Sequence, residues 1–301
     1  MRVLNFGSLN LDYVYQVSHF VQPGETLSAS AQTVNPGGKG LNQSVALAKA
    51  GADVFHAGCV GTGGELLVTT LKDSGVDVSH LVPVGELQGN AVIQVDRSGQ
   101  NCILLFGGSN QCVTEEQIEK TLEDFDEGDY LLLQNEINNL PLIVDRAAEK
   151  GMKIVLNPSP FNEKLNDVDF SRLEWLIVNE VEMEQCSGTD TAEEAWFLLR
   201  SRYPRLSLLV TFGQQGSIAF TERETVFQES MRVKAVDTTA AGDTYTGYFL
   251  AGMMEGRSLR ESMRRASFAA ALAVTKAGAA CSIPSREELE RLLKEMEPCD
   301  Q

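Results

Sequence analysis

The sequence predicts an α/β fold built on a central, mostly parallel sheet with helices on both faces. Short apolar segments alternate with amphipathic stretches along much of the chain, which is typical of consecutive βαβ units. Glycine follows several amphipathic stretches, as at Gly51, Gly75 and Gly151, where it can adopt the left-handed conformation that ends a helix. The predicted strands cover residues 3–6, 53–59, 130–133, 153–156, 175–178 and 208–211. The predicted helices between them cover residues 41–50, 66–74, 115–122, 140–150 and 192–202.

Two regions interrupt this alternation, because each holds two strand-like segments with no helix between them. Four such strands do not fit inside a sheet that helices cover on both faces. We therefore expect a small antiparallel β sheet that protrudes as a lid or as a platform for a second subunit. The four segments are residues 13–17, 27–34, 91–96 and 102–106, and the lid is expected to be formed by about residues 11–35 and 88–108.

The last third of the chain predicts mainly helices, over residues 243–255, 259–276 and 286–295. We find no repeat, low-complexity tract or linker between this part and the rest. We therefore predict one domain over residues 1–301, which is long enough to sustain a core without disulfides.

The composition excludes several classes of protein. A net charge of -17 leaves no basic footprint for nucleic acid. No apolar stretch reaches the length of about 18 residues that a membrane span needs. The six cysteines form no C-x-x-C pair and the first residues lack the apolar region of a signal peptide, so we expect free thiols and a cytoplasmic protein. The three histidines are too scattered to suggest a zinc cluster or a catalytic triad.

A run of small residues ahead of a long apolar helix is the strongest chemical signal. Ala240, Ala241 and Gly242 precede Asp243, and free N–H groups at such a helix start, together with its dipole, form an anion site. This arrangement suits phosphoryl transfer, in which Asp243 accepts the proton of the attacking hydroxyl while backbone N–H groups stabilise the phosphoryl oxygens. The simpler alternative is that Asp243 is an N-cap.

The segment NPGGKGLNQ at 35–43 looks at first like a phosphate loop. Gly38 and Lys39 match the GK pair of a P-loop, but Gly40 stands where Ser or Thr is needed and Thr33 where the first glycine is needed. The segment GTGGEL at 61–66 likewise ends in leucine where a dinucleotide fingerprint needs glycine. The glycines at 37–40 therefore indicate either tight turns or the close approach of another ligand.

Several motifs together resemble the phosphofructokinase-B class of sugar kinases, and within it the ribokinases. The similarity runs essentially end to end, and the order and spacing of the motifs are more specific than any one of them. GGKG followed by Asn42 and Gln43 is the part that indicates ribokinases within the class. The motifs are GSLNLD at 7–12, PGET at 23–26, GGKGLNQ at 37–43, NPSP at 157–160, VNEVE at 178–182, TFGQQG at 211–216, DTTAAGD at 237–243 and KAGAACSIP at 276–284.

The resemblance implies an ATP-dependent kinase that phosphorylates the primary hydroxyl of a sugar, with D-ribose giving D-ribose 5-phosphate. Asp243 would be the general base, and the backbone of Ala240, Ala241 and Gly242 would form the anion hole. Buried sugar hydroxyls need matched polar partners. The residues that the resemblance implies for the sugar pocket are Asn10, Asp12, Gly38, Lys39, Asn42 and Glu136.

The resemblance also implies sites for ATP, Mg²⁺ and a monovalent cation such as K⁺. Asn179 and Glu182 would organise Mg²⁺ through water, although the residues alone are equally consistent with an N-cap and a solvated glutamate. The expected nucleotide contacts are Asn179, Thr211, Gly213, Gln214, Gln215, Gly216, Gly242 and Ser267. The expected ligands of the monovalent cation are Asp237, Thr239, Ala273, Lys276, Gly278 and Ser282, several of them through backbone carbonyls.

Two departures from the family pattern bear on specificity. Leu41 stands where a small alanine is usual, so we expect it to reshape the sugar side of the pocket. Ser267 replaces an asparagine near the adenine, which leaves the nucleotide base preference open. The alternatives are a kinase for another sugar or a nucleoside, a non-catalytic sugar-binding protein of the same fold, and a nicotinamide oxidoreductase, which the missing fingerprint disfavours. A homodimer through the lid is the expected assembly.

Overall fold

Strands and helices alternate through residues 1–296, the part of the chain that the computed structural model describes. The strands are β1 (Val3–Phe6), β2 (Asn10–Gln16), β3 (Ala31–Gly37), β4 (Val54–Thr62), β5 (Asp77–Leu87), β6 (Asn90–Val95), β7 (Asn101–Phe106), β8 (Tyr130–Gln134), β9 (Lys153–Asn157), β10 (Leu173–Asn179), β11 (Ser207–Thr211), β12 (Ser217–Phe220) and β13 (Thr225–Gln228). The α-helices are α1 (Lys39–Ala50), α2 (Glu65–Asp73), α3 (Glu115–Leu122), α4 (Leu140–Glu149), α5 (Glu180–Ser187), α6 (Ala192–Arg202), α7 (Ala241–Met254), α8 (Leu259–Ala273) and α9 (Arg286–Met296).

The large sheet has nine strands in the order β13-β12-β11-β10-β9-β8-β1-β4-β5. The strands from β11 to β5 pair in parallel, whereas β12 and β13 add an antiparallel edge. The predicted α/β fold class with a mostly parallel central sheet is therefore confirmed.

Helices cover both faces of the large sheet, and each face has its own apolar core. On one face, Leu41 of α1, Phe249 of α7 and Met263 of α8 pack together. On the other face, Ile118 of α3 and Ile143 of α4 join a second cluster. Every residue of β1 and β8 is buried, as expected of inner strands with helices on both sides. Apart from the buried Asn5 of β1 and Gln134 of β8, these strands are apolar, and both strands were predicted from the sequence.

The second, small sheet is also present, with the strand order β3-β2-β6-β7. The outer pairs β2–β3 and β6–β7 are antiparallel, as predicted, but the central pair β2–β6 is parallel. The two central strands can run in parallel because no hairpin joins them: β3, α1, β4, α2 and β5 lie between them in the chain. Strand β3 begins four residues later than predicted, at Ala31 rather than residue 27, and extends to Gly37.

Three strands of the large sheet were not predicted. β5 is half-exposed at the edge, and β12 and β13 follow β11 in a meander with no α-helix between them, so the alternation of apolar strands with amphipathic helices does not mark them. Helix α8 ends at Ala273, three residues before the predicted end, and residues 275–282 form turns instead.

The structure of residues 1–296 bears on two predictions from composition, the free thiols and the lack of a membrane span. The five cysteines in this part of the chain are free, while Cys299 lies outside the described residues. Within the same range, no helix combines the length and the apolar character that crossing a bilayer requires.

Candidate active site

The start of α1 packs closely against the loop that joins β1 to β2. Leu41 N donates to Ser8 O at 3.0 Å, and Gly40 N donates to Ser8 Oγ at 3.2 Å. A Cβ atom on Gly40 would lie only 2.3 Å from Ser8 N, so this close approach requires glycine. Gly38, in the left-handed region with φ of 91°, makes the turn from β3 into the helix. The glycines of NPGGKGLNQ therefore bring two backbone segments together.

The predicted sugar residues Asn10 and Asp12 lie on β2 beside this turn. The Asp12 carboxylate lies against Gly37, where a Cβ atom would be 2.0 Å from Oδ2. Asn110 holds Asn10 by donating from Nδ2 to its Oδ1 at 2.8 Å. Gly37 and Asn110 thus shape this side of the site, and neither was among the predicted site residues. No spacing in the sequence marks Asn110, which follows β7 in the chain.

Glu136 follows β8 and joins the same cluster. Its Oε2 accepts hydrogen bonds from Ser8 Oγ and, at 3.1 Å, from the backbone N of Lys39. Burial raises the pKa of Glu136, and the nearby Lys39 charge partly offsets that increase. The carboxylate therefore connects the β1–β2 loop to the first turn of α1, as expected from the order of parallel strand ends.

Asp243 lies in the first turn of α7 and is only 7% exposed. Asn42 Nδ2 donates to its Oδ2 at 3.0 Å, and Gln43 Nε2 donates to its Oδ1 at 2.9 Å. The N-cap of α7 is Ala240, so the alternative that Asp243 is an N-cap is wrong. Asn42 Oδ1 is buried with no hydrogen-bond partner among the described residues, which leaves an acceptor open beside Asp243.

The charges of these residues act on one another. Burial, together with the negative charges of Glu136 and Asp243, raises the pKa of Asp12 to about 7. Burial alone would lower the pKa of Lys39, but Asp243 and Glu136, with Glu182, raise it instead. The side chain of Lys39 therefore contributes a positive charge to the site and is not a solvated loop charge.

A cavity of about 740 Å³ adjoins the start of α7. Ala241 and Gly242 line it, so the N-terminus of the helix faces this space. All the predicted nucleotide residues except Asn179 are in its lining: Thr211, Gly213, Gln214, Gln215, Gly216, Gly242 and Ser267. The sequence interpretation missed the other lining residues: Ser230, Met231, Arg232, Val233, Ala235, Thr238, Tyr245, Ala270, Ala271 and Val274. Ser267 Oγ donates to Glu229 O at 3.2 Å.

The backbone at the start of α7 has an unusual conformation. Ala240 has φ of 60°, in the left-handed region that non-glycine residues seldom adopt. Its carbonyl accepts a hydrogen bond from Thr244 N at 2.8 Å. Such strain is often found at functional sites, where the surrounding structure maintains it. Here it turns the chain into α7, where Ala241 N donates to Thr238 O at 3.2 Å and Gly242, which lines the cavity, has the first N–H group without a backbone partner among the described residues.

Asn179 and Glu182 form a reciprocal capping box at the start of α5. Glu182 N donates to Asn179 Oδ1 at 2.8 Å, and Asn179 N donates to Glu182 Oε2 at 3.1 Å. The N-cap interpretation is therefore correct for Asn179, but Glu182 is 7% exposed and is not a solvated glutamate. Helix α5 begins at Glu180, as predicted.

Asp237 holds the two segments predicted for the monovalent cation side by side. Its Oδ1 accepts from Thr239 N at 2.9 Å and Thr239 Oγ1 at 2.6 Å, and its Oδ2 accepts from Gly278 N at 2.9 Å. Burial acts to raise the pKa of Asp237, but these hydrogen bonds outweigh it and lower the pKa. Ser282, a few residues after Gly278, is buried. Lys276, just before Gly278, forms an ion pair with Glu288 at 2.7 Å.

One expectation about specificity is wrong. Leu41 was expected to reshape the sugar side of the pocket, but its side chain is 0% exposed and packs in the apolar core with Leu9 and Val45. The first turn of α1 presents its polar residues to the site and its leucine to the core, and this direction could not be read from sequence spacing alone.

Comparison with known proteins identifies the family. The model of the pfkB family carbohydrate kinases matches residues 2–286. The chain belongs to this family. It is therefore a phosphotransferase with a sugar hydroxyl as acceptor, which excludes the oxidoreductase and the non-catalytic binding protein. The ribokinase of Haemophilus influenzae is 34% identical to this kinase over 297 residues, which cover 96% of this chain and 97% of that protein.

The kinase is also similar to solved structures of ribokinases and to a deoxyribokinase. The ribokinase of Cryptococcus neoformans var. grubii serotype A, in complex with ADP, superposes with a TM-score of 0.86 at 30% identity and covers 97% of this chain and 99% of that one. The ribokinase of Arabidopsis thaliana, complexed with ribose and ATP, has a TM-score of 0.86 at 29% identity, covering 97% and 98%. A deoxyribokinase of Salmonella typhi is 28% identical over 302 residues, covering 97% and 99%.

Proposed function

We propose that this kinase transfers the γ-phosphoryl group of ATP to the primary hydroxyl of D-ribose, giving D-ribose 5-phosphate. The observation that carries the proposal is the position of Asp243 between two sites. Its carboxylate contacts Asn42 in the polar cluster, while Gly242 and Ala241, one and two residues before it, line the cavity. An acceptor hydroxyl in the cluster and a nucleotide in the cavity would both lie beside this one aspartate.

Asp243 serves as the general base in this proposal. It accepts the proton of the primary hydroxyl as the hydroxyl oxygen attacks the γ-phosphorus of ATP, and ADP leaves. The free N–H groups at the start of α7 and the charge of Lys39 stabilise the negative phosphoryl oxygens. The reaction needs positioning and charge neutralisation more than covalent catalysis, which suits a site made of backbone N–H groups, amides and one lysine.

The polar cluster suits a sugar because it leaves open acceptors and carboxylates in a buried place. The buried Asn42 Oδ1 has no partner in residues 1–296, and a sugar hydroxyl would satisfy it. Asp12 and Glu136 each add a carboxylate that can accept from hydroxyl groups. Asn10, Lys39 and the backbone at Gly38 complete the proposed sugar pocket. A buried site of this kind discriminates strongly against analogues that leave its polar groups unpaired.

The two ions are part of the proposal. Mg²⁺ usually binds through one or two carboxylates together with substrate phosphates and water, and it neutralises phosphate charge. Glu182 and Asn179 fit this water-mediated role better than direct ligation, because their own capping box already engages them. For K⁺, the Asp237–Gly278 hydrogen bond brings together the two segments that hold the predicted ligands, whose carbonyls and hydroxyls are suitable donors.

The relatives leave another acceptor as the alternative. One relative of comparable sequence identity is a deoxyribokinase, so the preference of this kinase for ribose needs a direct test. A kinase for another sugar or a nucleoside would use the same base and anion hole.

The decisive assay measures ATP consumption across pentoses, 2-deoxyribose, hexoses and nucleosides. We expect ribose to give the highest kcat/KM, and Asp243→Asn to lower kcat at least about 10²-fold with a smaller change in sugar KM. Fast turnover of a nucleoside without turnover of ribose would disprove the choice of sugar. Near-normal turnover by Asp243→Asn would remove Asp243 from the role of base. Running the assay in potassium and in sodium salts tests the cation segments, and equal rates would contradict a K⁺ role.

A further inference from the structure

Behind Asp243 lies a chain of buried side-chain amides. Gln43 Nε2 donates to Asp243 Oδ1 at 2.9 Å and to Asn157 Oδ1 at 3.1 Å. Gln134 Nε2 donates to Gln43 Oε1 at 2.7 Å and to Asn5 Oδ1 at 3.0 Å. All four amide side chains are buried, so water does not compete for these bonds. Neither Gln43 nor Gln134 was among the predicted site residues.

Backbone carbonyls set the direction of this chain at both ends. Asn5 Nδ2 faces Gly40 O at 2.7 Å, and Asn157 Nδ2 faces Ile177 O at 2.9 Å. A backbone carbonyl can only accept, so each asparagine must present its nitrogen there and its oxygen to the neighbouring glutamine. On the Asn5 side, Ser44 Oγ also accepts from Nδ2 at 2.8 Å and lies 2.7 Å from Nδ1 of the buried His56.

The orientation of Gln43 follows from these two anchors. Asn5 presents oxygen, so Gln134 must present its nitrogen to Asn5 and, with the same group, to Gln43 Oε1. Gln43 is then left with both N–H groups for Asn157 and Asp243. A reversed Gln43 amide would place an oxygen against the Asp243 carboxylate and another acceptor, and such contacts are unfavourable. Gln134 Oε1 is buried and has no hydrogen-bond partner among the described residues. The orientation of the Gln134 amide is therefore set by the hydrogen bonds that its nitrogen donates to Asn5 and Gln43.

We propose that Asn5, Gln134 and Gln43 form an amide relay of fixed polarity that positions the Asp243 carboxylate for proton transfer. The inference rests on the proposed role of Asp243 as general base. Gln43 is the positioning residue in contact with the base, and Gln134 acts only through Gln43. The relay holds Oδ1 while Asn42 holds Oδ2, which fixes the orientation of the carboxylate.

The test is the effect of Gln134→Met on the ribose-dependent reaction. This substitution keeps an unbranched side chain of similar length but removes the donor to Gln43. We expect kcat to fall roughly 10-fold or more, the scale of a small misplacement of a catalytic group, while sugar KM changes much less. The matched control is Gln117→Met, because Gln117 is also buried and bonds Gly58 O at 2.9 Å outside the relay. We expect its kcat to stay near that of the unchanged protein.

A double variant separates a relay from general damage. Because Gln134 acts through Gln43, Gln43→Met combined with Gln134→Met should have the kcat of Gln43→Met alone. Thermal unfolding confirms that each variant is folded at the assay temperature. If Gln134→Met does not fold, Gln134→Leu replaces it: its uncharged side chain also removes the donor to Gln43, and kcat should fall as far.

Failure of the relay is distinguishable from failure of the proposed function. The relay is overturned if a folded Gln134 variant keeps full kcat, if Gln117→Met loses as much, or if the two glutamine losses multiply in the double variant. Each of these results leaves the base role intact as long as Asp243→Asn is inactive. An active Asp243→Asn instead overturns the base role itself, and the relay with it.

Discussion

At the scale of single residues, the candidate site holds more negative than positive charge. Asp12, Glu136 and Asp243 are carboxylates within electrostatic reach of one another. Lys39 is the positive group; burial acts to lower its pKa, but Asp243 and Glu136 raise it. Repulsion between these carboxylates is unfavourable, and before a substrate binds, hydrogen bonds to Glu136 and Asp243 offset part of that electrostatic cost. Among these carboxylates the effect of the shared charge is clearest for Asp12, because burial together with the charges of Glu136 and Asp243 raises its pKa to about 7.

The raised pKa of Asp12 predicts a pH-dependent stability. Between about pH 4 and pH 7 the folded state holds a proton at Asp12 that the unfolded chain releases, so this residue makes the protein less stable as pH rises through that window. Asp12→Asn removes the effect. We expect its Tm to exceed that of the unchanged protein by more at about pH 8.5 than at about pH 5, measured by thermal unfolding without ligands.

The same substitution should cost sugar affinity. A hydrogen bond to a charged group contributes about 1.5 kcal/mol or more, so the sugar KM of Asp12→Asn should rise at least roughly tenfold. An equal Tm difference at both pH values would contradict the raised pKa, and an unchanged KM would remove Asp12 from the sugar pocket.

At the scale of elements, α1 connects the parts of the site. Its first turn contributes Lys39, Asn42 and Gln43, and it packs on the β1–β2 loop through Gly40. The same helix packs against α7, which carries Asp243, and a Cβ atom on Gly247 of α7 would lie 2.4 Å from Ala46 Cβ. The position of the base relative to the sugar residues therefore depends on close packing of α1 against two neighbours.

Gly40→Ala tests this dependence. The added Cβ would lie 2.3 Å from Ser8 N and 2.6 Å from Ser8 O, both backbone atoms that cannot move aside alone, so α1 must shift away from the loop. We expect kcat/KM for ribose to fall roughly 10²-fold, because a displacement of about 1 Å at the reacting groups has that effect. Gly85→Ala is the control, since no atom lies within 4 Å of its added Cβ. Comparable losses in both variants would contradict the argument.

At the scale of the whole molecule, the small sheet leaves an apolar edge exposed. All six residues of β7 are exposed, and they include Ile103, Leu104, Leu105 and Phe106. β7 is the edge strand, so its free backbone groups and these side chains lie on the same surface. An exposed apolar edge strand favours pairing with another chain. We propose that two copies of the kinase associate through this surface, and that the small sheet also closes over the sugar and excludes water.

Leu104→Lys provides the test of association. Leu104 is 72% exposed, so the change should leave the fold intact while placing a charge in the proposed interface. We expect the unchanged protein to sediment as a dimer at micromolar concentrations and Leu104→Lys to sediment as a monomer. Phe197→Lys is the control, because Phe197 is 73% exposed but lies on α6, a helix beside the large sheet, and not on the small sheet. A monomeric unchanged protein, or a dimeric Leu104→Lys, would contradict the proposal.

The sequence by itself determined the fold class, the two-sheet division and the position of the proposed base. Inner strands buried on both faces must be apolar runs, and a helix that starts with small residues leaves its N–H groups free; both are local properties that periodicity and residue size reveal. The family motifs then indicated part of the cavity lining, including all the predicted nucleotide residues except Asn179, and the residues of the proposed sugar cluster.

Only the tertiary structure decided how these parts meet. The edge strands β5 and β13 are partly exposed, β12 follows β11 with no α-helix between them, and the parallel β2–β6 pair joins strands far apart in the chain. The direction of Leu41 into the core, and the hydrogen bonds that join Gln134 and Gln43 to Asp243, depend on side chains from elements separated by about a hundred residues or more. A sequence pattern reports which face a residue occupies, but the hydrogen-bond partners of a buried amide are set by whatever the fold places beside it.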